Sequence, residues 1–206
     1  MEVEFGKRIR EERQRKGLSL RELAGRVGVS ASMLSQVETG RSRASVTTLY
    51  ALVRELDLSL DELFGDQPVP DPPRPSSARS RVVPVHRDRP VEHAGDRTKI
   101  QLGSGVVWER LAHVDPDVAT LMEITYPPGG TSAESGKFQR HDGIDFAYVL
   151  AGRLTLHLGF DTYVLGPGDT ASFDATEPHM LENTGTEDAR ALMFVFNPDR
   201  HRPDHH

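Results

Sequence analysis

From Gln67 to Ser80 the chain reads QPVPDPPRPSSARS, with Pro68, Pro70, Pro72, Pro73 and Pro75 falling within eight residues. Proline fixes φ and donates no backbone N–H, so neither a helix interior nor a central strand tolerates such density. An extended, semi-rigid spacer is expected here, because structureless loops of this length inside one domain are uncommon. What lies on either side must then fold around its own core, and 206 residues suit two modest domains.

Charge divides the chain at the same place. Residues 5–54 hold 11 Lys/Arg against Glu11, Glu12, Glu22 and Glu38, whereas residues 81–206 hold 12 bases, 19 acids and all nine histidines. The overall charge of -6 therefore conceals a basic N-terminal part. Cysteine is absent, which excludes disulfides, thiolate metal sites and cysteine nucleophiles. No apolar run approaches the roughly 18 residues of a membrane span, and the first residues lack a signal-peptide h-region. A soluble cytoplasmic protein is the expectation.

Before the spacer the apolar period is helical. Leu20, Leu23, Ala24 and Val27 follow i, i+3, i+4, i+7, and Val46, Leu49, Leu52, Val53 and Leu56 repeat the pattern. Ser19–Glu22 and Ser59–Glu62 both read S-x-x-E, the box that caps a helix start, while Gly17, Gly28, Gly40 and Gly65 stand at expected stops. The pattern predicts five short helices. Leu20–Val27, a turn at Gly28-Val29 and Ala31–Glu38 capped by Ser30 form a helix-turn-helix, whose second helix suits the major groove. With Leu34 and Val37 facing the core, Ala31, Ser32, Ser35 and Gln36 lie on or near the outward face. Gln36 can pair with adenine through two hydrogen bonds, and Arg41 and Arg43 suit phosphates.

The spacing L-A-x-x-V-G-V-S-x-S-x-L-S-Q-x-E-x-G from Leu23 to Gly40 resembles the xenobiotic-response-element family of helix-turn-helix domains, the phage repressor/Cro type. The similarity spans nearly all of residues 5–64. Ala44 replaces the usual proline, but Ser45 still offers a cap to the next helix. The resemblance implies base contacts from the Ser32–Gln36 face and operator half-sites read by a homodimer.

After the spacer the period shortens. Asp145–Leu150, Arg153–Leu158, Tyr163–Leu165, Thr170–Phe173 and Arg190–Phe196 are short and rich in β-branched or aromatic residues, with glycine-containing turns between them. Alternation along the first of these puts Asp145, Ala147 and Val149 on one face and Phe146, Tyr148 and Leu150 on the other. Trp108 is expected in the core and His157 on a polar face.

Residues 127–196 resemble the cupin family, small β-barrels with an interior site; residues 81–126 do so weakly. On the family's first motif the second histidine falls on His141, the acid on Asp145 and the closing glycine on Gly152. On the second motif the glycine falls on Gly168, the histidine on His179 and the asparagine on Asn183. Gln139 stands where the first histidine is usual, Asp145 replaces a glutamate, and Asp174 and Thr176 replace a proline and a glycine. His141, Asp145 and His179 still make the two-imidazole, one-carboxylate set that leaves positions open on a metal, and Gln139 adds an amide oxygen. Fe, Mn, Ni, Co and Zn all suit such donors.

The expected architecture is α + β in two domains. Residues 1–66 form the all-α bundle, 67–80 the linker, 81–198 an all-β cupin (double-stranded β-helix) barrel and 199–206 a disordered His-rich tail. The expected function is an operator-binding transcriptional regulator, not an enzyme, with no catalytic residue. Its barrel senses a small-molecule effector, with or without metal assistance, or with metal itself as the signal, by shifting the arrangement of two barrels and hence of two reading helices. The alternative is a mononuclear non-haem iron enzyme resembling the hydroxypropylphosphonate epoxidases, which join a helix-turn-helix-like domain to a cupin. Lys99–Leu111 lacks the tyrosines that would hold a phosphonate there.

Overall fold

The computed structural model describes residues 5–58, 91–112, 114, 118–133 and 137–197. Four helices lie among them: α1 (Phe5–Arg15), α2 (Leu20–Val27), α3 (Ala31–Glu38) and α4 (Val46–Leu56). The fifth helix expected from Ser59, the proline spacer and the His-rich tail fall outside the described residues. No helix among the described residues is long and apolar enough to cross a membrane.

Each helix begins where a hydroxyl satisfies an orphan N–H. Ser19 accepts from the Glu22 amide at 3.2 Å while Glu22 accepts from the Ser19 amide at 2.8 Å, completing the capping box. Ser30 accepts from the Met33 amide, and Ser45 from that of Thr48, both at 3.1 Å. Gly28 ends α2 at φ 74°, a left-handed conformation that costs glycine little and permits the tight turn into α3. Ile9, Leu23, Leu34, Leu49, Leu52 and Leu56 are fully buried between the helices.

α1 approaches α3 so closely that a Cβ on Gly6 would stand 2.0 Å from the carbonyl oxygen of Val37. Alanine favours a helix by roughly 1 kcal/mol over glycine, but overpacking against rigid backbone costs about 1–3 kcal/mol or more. Gly6→Ala is therefore expected to destabilise the helical module, read as a lower denaturation midpoint. An unchanged or higher midpoint would show that the two helices separate without cost.

The C-terminal part contains β1 (Lys99–Gln101), β2 (Val107–Arg110), β3 (Ala119–Tyr126), β4 (Ile144–Ala151), β5 (Leu154–Leu158), β6 (Asp161–Leu165), β7 (Thr170–Asp174), β8 (His179–Glu182) and β9 (Ala189–Phe196). All named strand pairs are antiparallel, in a six-stranded sheet ordered β1-β2-β3-β9-β4-β7 and a three-stranded sheet ordered β6-β5-β8. The alternation expected along β4 holds: Asp145, Ala147 and Val149 are buried, while Phe146, Tyr148 and Leu150 are exposed. Trp108 is buried in β2. His157 is half-buried, with Nε2 2.9 Å from Glu182 Oε1 and Nδ1 3.1 Å from Thr162 Oγ1.

The two modules meet directly. Gly103 donates its N–H to the Ala44 carbonyl at 2.7 Å, and Thr47 Oγ1 donates to the Ser132 carbonyl at 3.3 Å. Tyr50 of α4 meets Trp108 edge-on, with centroids 5.7 Å apart. The last described helix of the N-terminal module thus lies against the barrel.

Candidate functional site

α3 divides as the sequence indicates. Leu34 and Val37 are buried, while Ser32 and Gln36, one turn apart, are exposed on the same side. Ser35 is half-buried. Ala31 is half-buried and packs on the helical core, and the Ser30 hydroxyl is engaged in capping, so these two shape the helix start. Arg41 and Arg43 are exposed in the segment that follows.

One residue of this module carries more than its charge suggested. Glu38, at the end of α3, is buried and takes both its carboxylate oxygens to Arg13 of α1, with Nε–Oε1 2.6 Å and Nη2–Oε2 2.8 Å. The remaining Arg13 nitrogen, Nη1, donates to the Leu18 carbonyl at 2.9 Å. A bidentate pair of this kind fixes direction as well as distance. It holds α3 against α1 and against the turn into α2.

In the barrel, strand pairing gathers the expected donors. Asp145 projects inward from β4, and His179 opens β8. Gln139 is joined to His179 by two backbone hydrogen bonds of 2.9 and 3.0 Å, and His141 is held by its N–H to the Ala175 carbonyl at 3.0 Å. His141 Nε2 lies 3.3 Å and His179 Nε2 3.5 Å from Asp145 Oδ2. One donor atom from each of the three residues falls within 4.8 Å of the others. His179 and Asp145 are almost wholly buried.

The second atoms of both rings define their chemistry. His179 Nδ1 is 2.9 Å from the Glu177 carbonyl, and His141 Nδ1 is 3.1 Å from that of Asp142. A carbonyl only accepts, so each Nδ1 carries a proton, and in its neutral form each ring turns a lone pair toward Asp145 through Nε2. Those Nε2 atoms, Asp145 Oδ1 and Gln139 Oε1 are buried without a hydrogen-bond partner. Lone pairs facing a carboxylate in a buried space are costly unless a cation or proton lies between them. The donor set therefore fits a divalent ion held by two imidazoles and a carboxylate.

Burial disfavours a charged His141, but the neighbouring Asp145 carboxylate outweighs it and raises the pKa. Burial prevails at His179, whose pKa is lowered despite the Glu177 carbonyl and Asp145. Burial, reinforced by the Asp145 charge, raises the phenols of Tyr50 and Tyr126 above their usual range, so neither supplies a phenolate.

The motif's altered positions have been absorbed locally. Asp174 Oδ1 accepts from the Thr176 amide at 2.9 Å and its hydroxyl at 2.7 Å, making the turn where proline and glycine are usual. Asn183 donates to the Tyr126 and Glu187 carbonyls and accepts from the Gly185 amide, so it ties the end of β8 rather than lining the site.

A cavity of about 440 Å³ opens between α4 and the barrel next to these donors. α4 contributes Thr47, Tyr50 and Arg54 to its wall, and the barrel contributes Phe138, Arg140 and His141. The Tyr50 ring stacks on His141, with centroids 4.3 Å apart and planes within 7°. The helical module therefore touches a candidate metal ligand. Tyr50 carried no signal of this contact in the sequence, since it borders Val46 and Val53 on its helix and also packs against the helical core.

A helix-turn-helix among the four described helices, packed against a two-sheet barrel with an interior donor set, defines a class of two-module DNA-binding proteins. Family models agree on both parts: a Helix-turn-helix over residues 9–63 and a Cupin domain over residues 122–195. The chain is 31% identical over 189 residues to the HTH-type transcriptional regulator PuuR of Escherichia coli (strain K12), covering 91% of each protein. It belongs to this family of helix-turn-helix transcriptional regulators with a cupin domain. It is also 24% identical over 195 residues to SutR of the same organism, covering 92% of this chain and 93% of that one. A solved HTH_3 family transcriptional regulator from Vibrio cholerae shares the fold at TM-score 0.64 and 20% identity, covering 95% and 96% of the two chains. The hydroxypropylphosphonic acid epoxidase from S. wedmorenis aligns at TM-score 0.47 and 17% identity, over 94% and 97%, which carries no argument for its activity.

Proposed function

We propose that this transcriptional regulator reads a two-fold symmetric operator as a homodimer, through Ser32, Ser35 and Gln36 with Arg41 and Arg43 on phosphates. Its barrel binds a divalent ion through His141, Asp145 and His179, with Gln139 beside them, and a small effector in the adjoining cavity. The observation that carries the reading is the stack of Tyr50 on His141, which puts the sensing site in contact with the DNA-binding module. A bound ion would supply open coordination positions for an oxygen ligand. The chain's own residues hold the rings in one tautomer and bury the site under α4. Effector binding then couples to operator binding through α4, a shorter route than a rearrangement of two barrels.

Dimerisation is supported by the half-site logic of helix-turn-helix reading. The outward row of Phe146, Tyr148 and Leu150 on β4, with Phe194 on β9, offers an exposed apolar patch for a self-complementary contact.

The test is selection from random duplex DNA by the full chain at about physiological salt, since low salt inflates non-specific affinity. A two-fold motif preferred by roughly a thousandfold or more over scrambled competitor is expected. On that motif Gln36→Ala should cost roughly 1–3 kcal/mol and relax preference at one base pair. Equal loss on selected and random DNA would remove Gln36 from base reading.

A further inference from the structure

The proposed effector cavity has an uneven charge that no carboxylate pairs with among the described residues. Arg54, in the last turn of α4, and Arg140, on the barrel segment ahead of His141, both line it and are exposed. Among the described residues neither guanidinium forms an ion pair or side-chain hydrogen bond, whereas Arg13, Arg26 and Arg190 all pair with carboxylates. Among the described residues the cavity lining contains one carboxylate, Asp142. Asp145, below the cavity, faces the two imidazoles and would be compensated by the ion they hold. Val53, Leu58, Phe138 and Val195 give the wall an apolar part, beside the neutral polar side chains of Thr47, Thr120, Thr176 and Asn197.

From this arrangement we infer that the effector is a small organic carboxylate, its acid group gripped by Arg54 and Arg140 and its hydrocarbon body lying on the apolar wall. The inference rests on the proposed effector site and names the ligand's chemistry. Guanidinium forks match carboxylates in two parallel hydrogen bonds, which a lysine cannot reproduce. The apolar wall argues against an inorganic oxyanion, which would gain nothing from it, and the excess of guanidinium over carboxylate argues against a diamine. Because Arg54 belongs to the DNA-binding module and Arg140 to the barrel, one acid group fastens the two together. The ligand is therefore itself the coupling element between sensing and operator binding.

The experiment is calorimetric titration of the full-length, metal-loaded protein with a fixed set of probes. The acids are lactate, succinate, glutarate, 2-oxoglutarate and benzoate; the comparators are succinamide, 1,4-diaminobutane and inorganic phosphate. At least one acid should bind with Kd below about 1 mM, and the comparators should bind at least tenfold more weakly. Arg54→Gln and Arg140→Gln should each weaken that acid tenfold or more, with metal content and melting temperature of the free protein unchanged. The acid should shift the affinity of the wild type for its selected operator, and the shift should vanish in Arg54→Gln. Failure of all five acids, tightest binding by the diamine or by phosphate, or indifference of the acid to both substitutions would each overturn the inference. Metal content and operator selection on the wild type are read separately. A protein that keeps its ion and its operator but takes no acid sinks the ligand class alone; loss of the first two sinks the wider reading.

Discussion

Asp145→Asn is expected to abolish tight divalent-ion binding while leaving the barrel folded. Asparagine keeps the shape and one oxygen but removes the negative charge that the two imidazoles face at 3.3 and 3.5 Å. A neutral amide is a far weaker partner for a divalent ion than a carboxylate, and its N–H₂ can instead donate to an imidazole lone pair. Substitutions that merely orient a ligand typically cost 10–100-fold in metal affinity, so loss of a ligand charge should exceed that range. The stability of the metal-free protein should move in the opposite direction. A buried carboxylate oxygen without a hydrogen-bond partner is replaced by a neutral group able to pair with His141 or His179, which relieves a desolvation cost. Metal content by mass spectrometry after dialysis, with denaturant unfolding of both forms, reads the two effects together. Retention of one equivalent of ion by Asp145→Asn would place the ion elsewhere in the chain. A less stable metal-free variant would mean that a proton, rather than a cation, normally bridges the site.

The local parts of this architecture were legible because they follow from short-range chemistry. Ser19, Ser30 and Ser45 cap helices from positions visible as hydroxyls ahead of apolar stripes. The two faces of β4 were legible from strand alternation, but the choice of the inward one depended on placing Asp145 in the interior site that the family resemblance implies. The candidate ligands were legible from the family's spacing, although no local pattern could say that Asn183 ties down a strand end. What escaped was nonlocal. Tyr50 and His141 stand on modules separated by the proline spacer, and no periodicity links an aromatic on a helix to a ring in a barrel. Without that contact, communication between effector and operator had to be assigned to a movement of two barrels. β1, β2 and β3 were not assigned either, since they lie mostly where the barrel resemblance is weak.

Glu38 shows the same limit and yields the largest expected effect on the helical module. In the sequence it is one of four acids diluting a basic region. In the fold its side chain is 4% exposed, and the Arg13 side chain it grips is 11% exposed. Removing one member of a fully buried ion pair typically costs about 3–5 kcal/mol, and with Arg13 part-buried and still bonded to the Leu18 carbonyl the cost here falls toward the lower end. Glu38→Ala would then consume much of the roughly 5–15 kcal/mol that holds a small domain folded. Operator binding should be lost, because Arg13 no longer sets α3 against α1, while the ion in the barrel should be retained. Thermal unfolding should show the helical module melting first. General fragility at α3 would give the same loss, so the discriminating variant is Arg13→Met with Glu38→Met. Replacing a buried pair by apolar groups of similar size is often neutral or stabilising. The double variant should therefore recover most of the stability lost in Glu38→Ala. A double variant as unstable as the single one would show that the pair contributes net stability which apolar packing cannot replace.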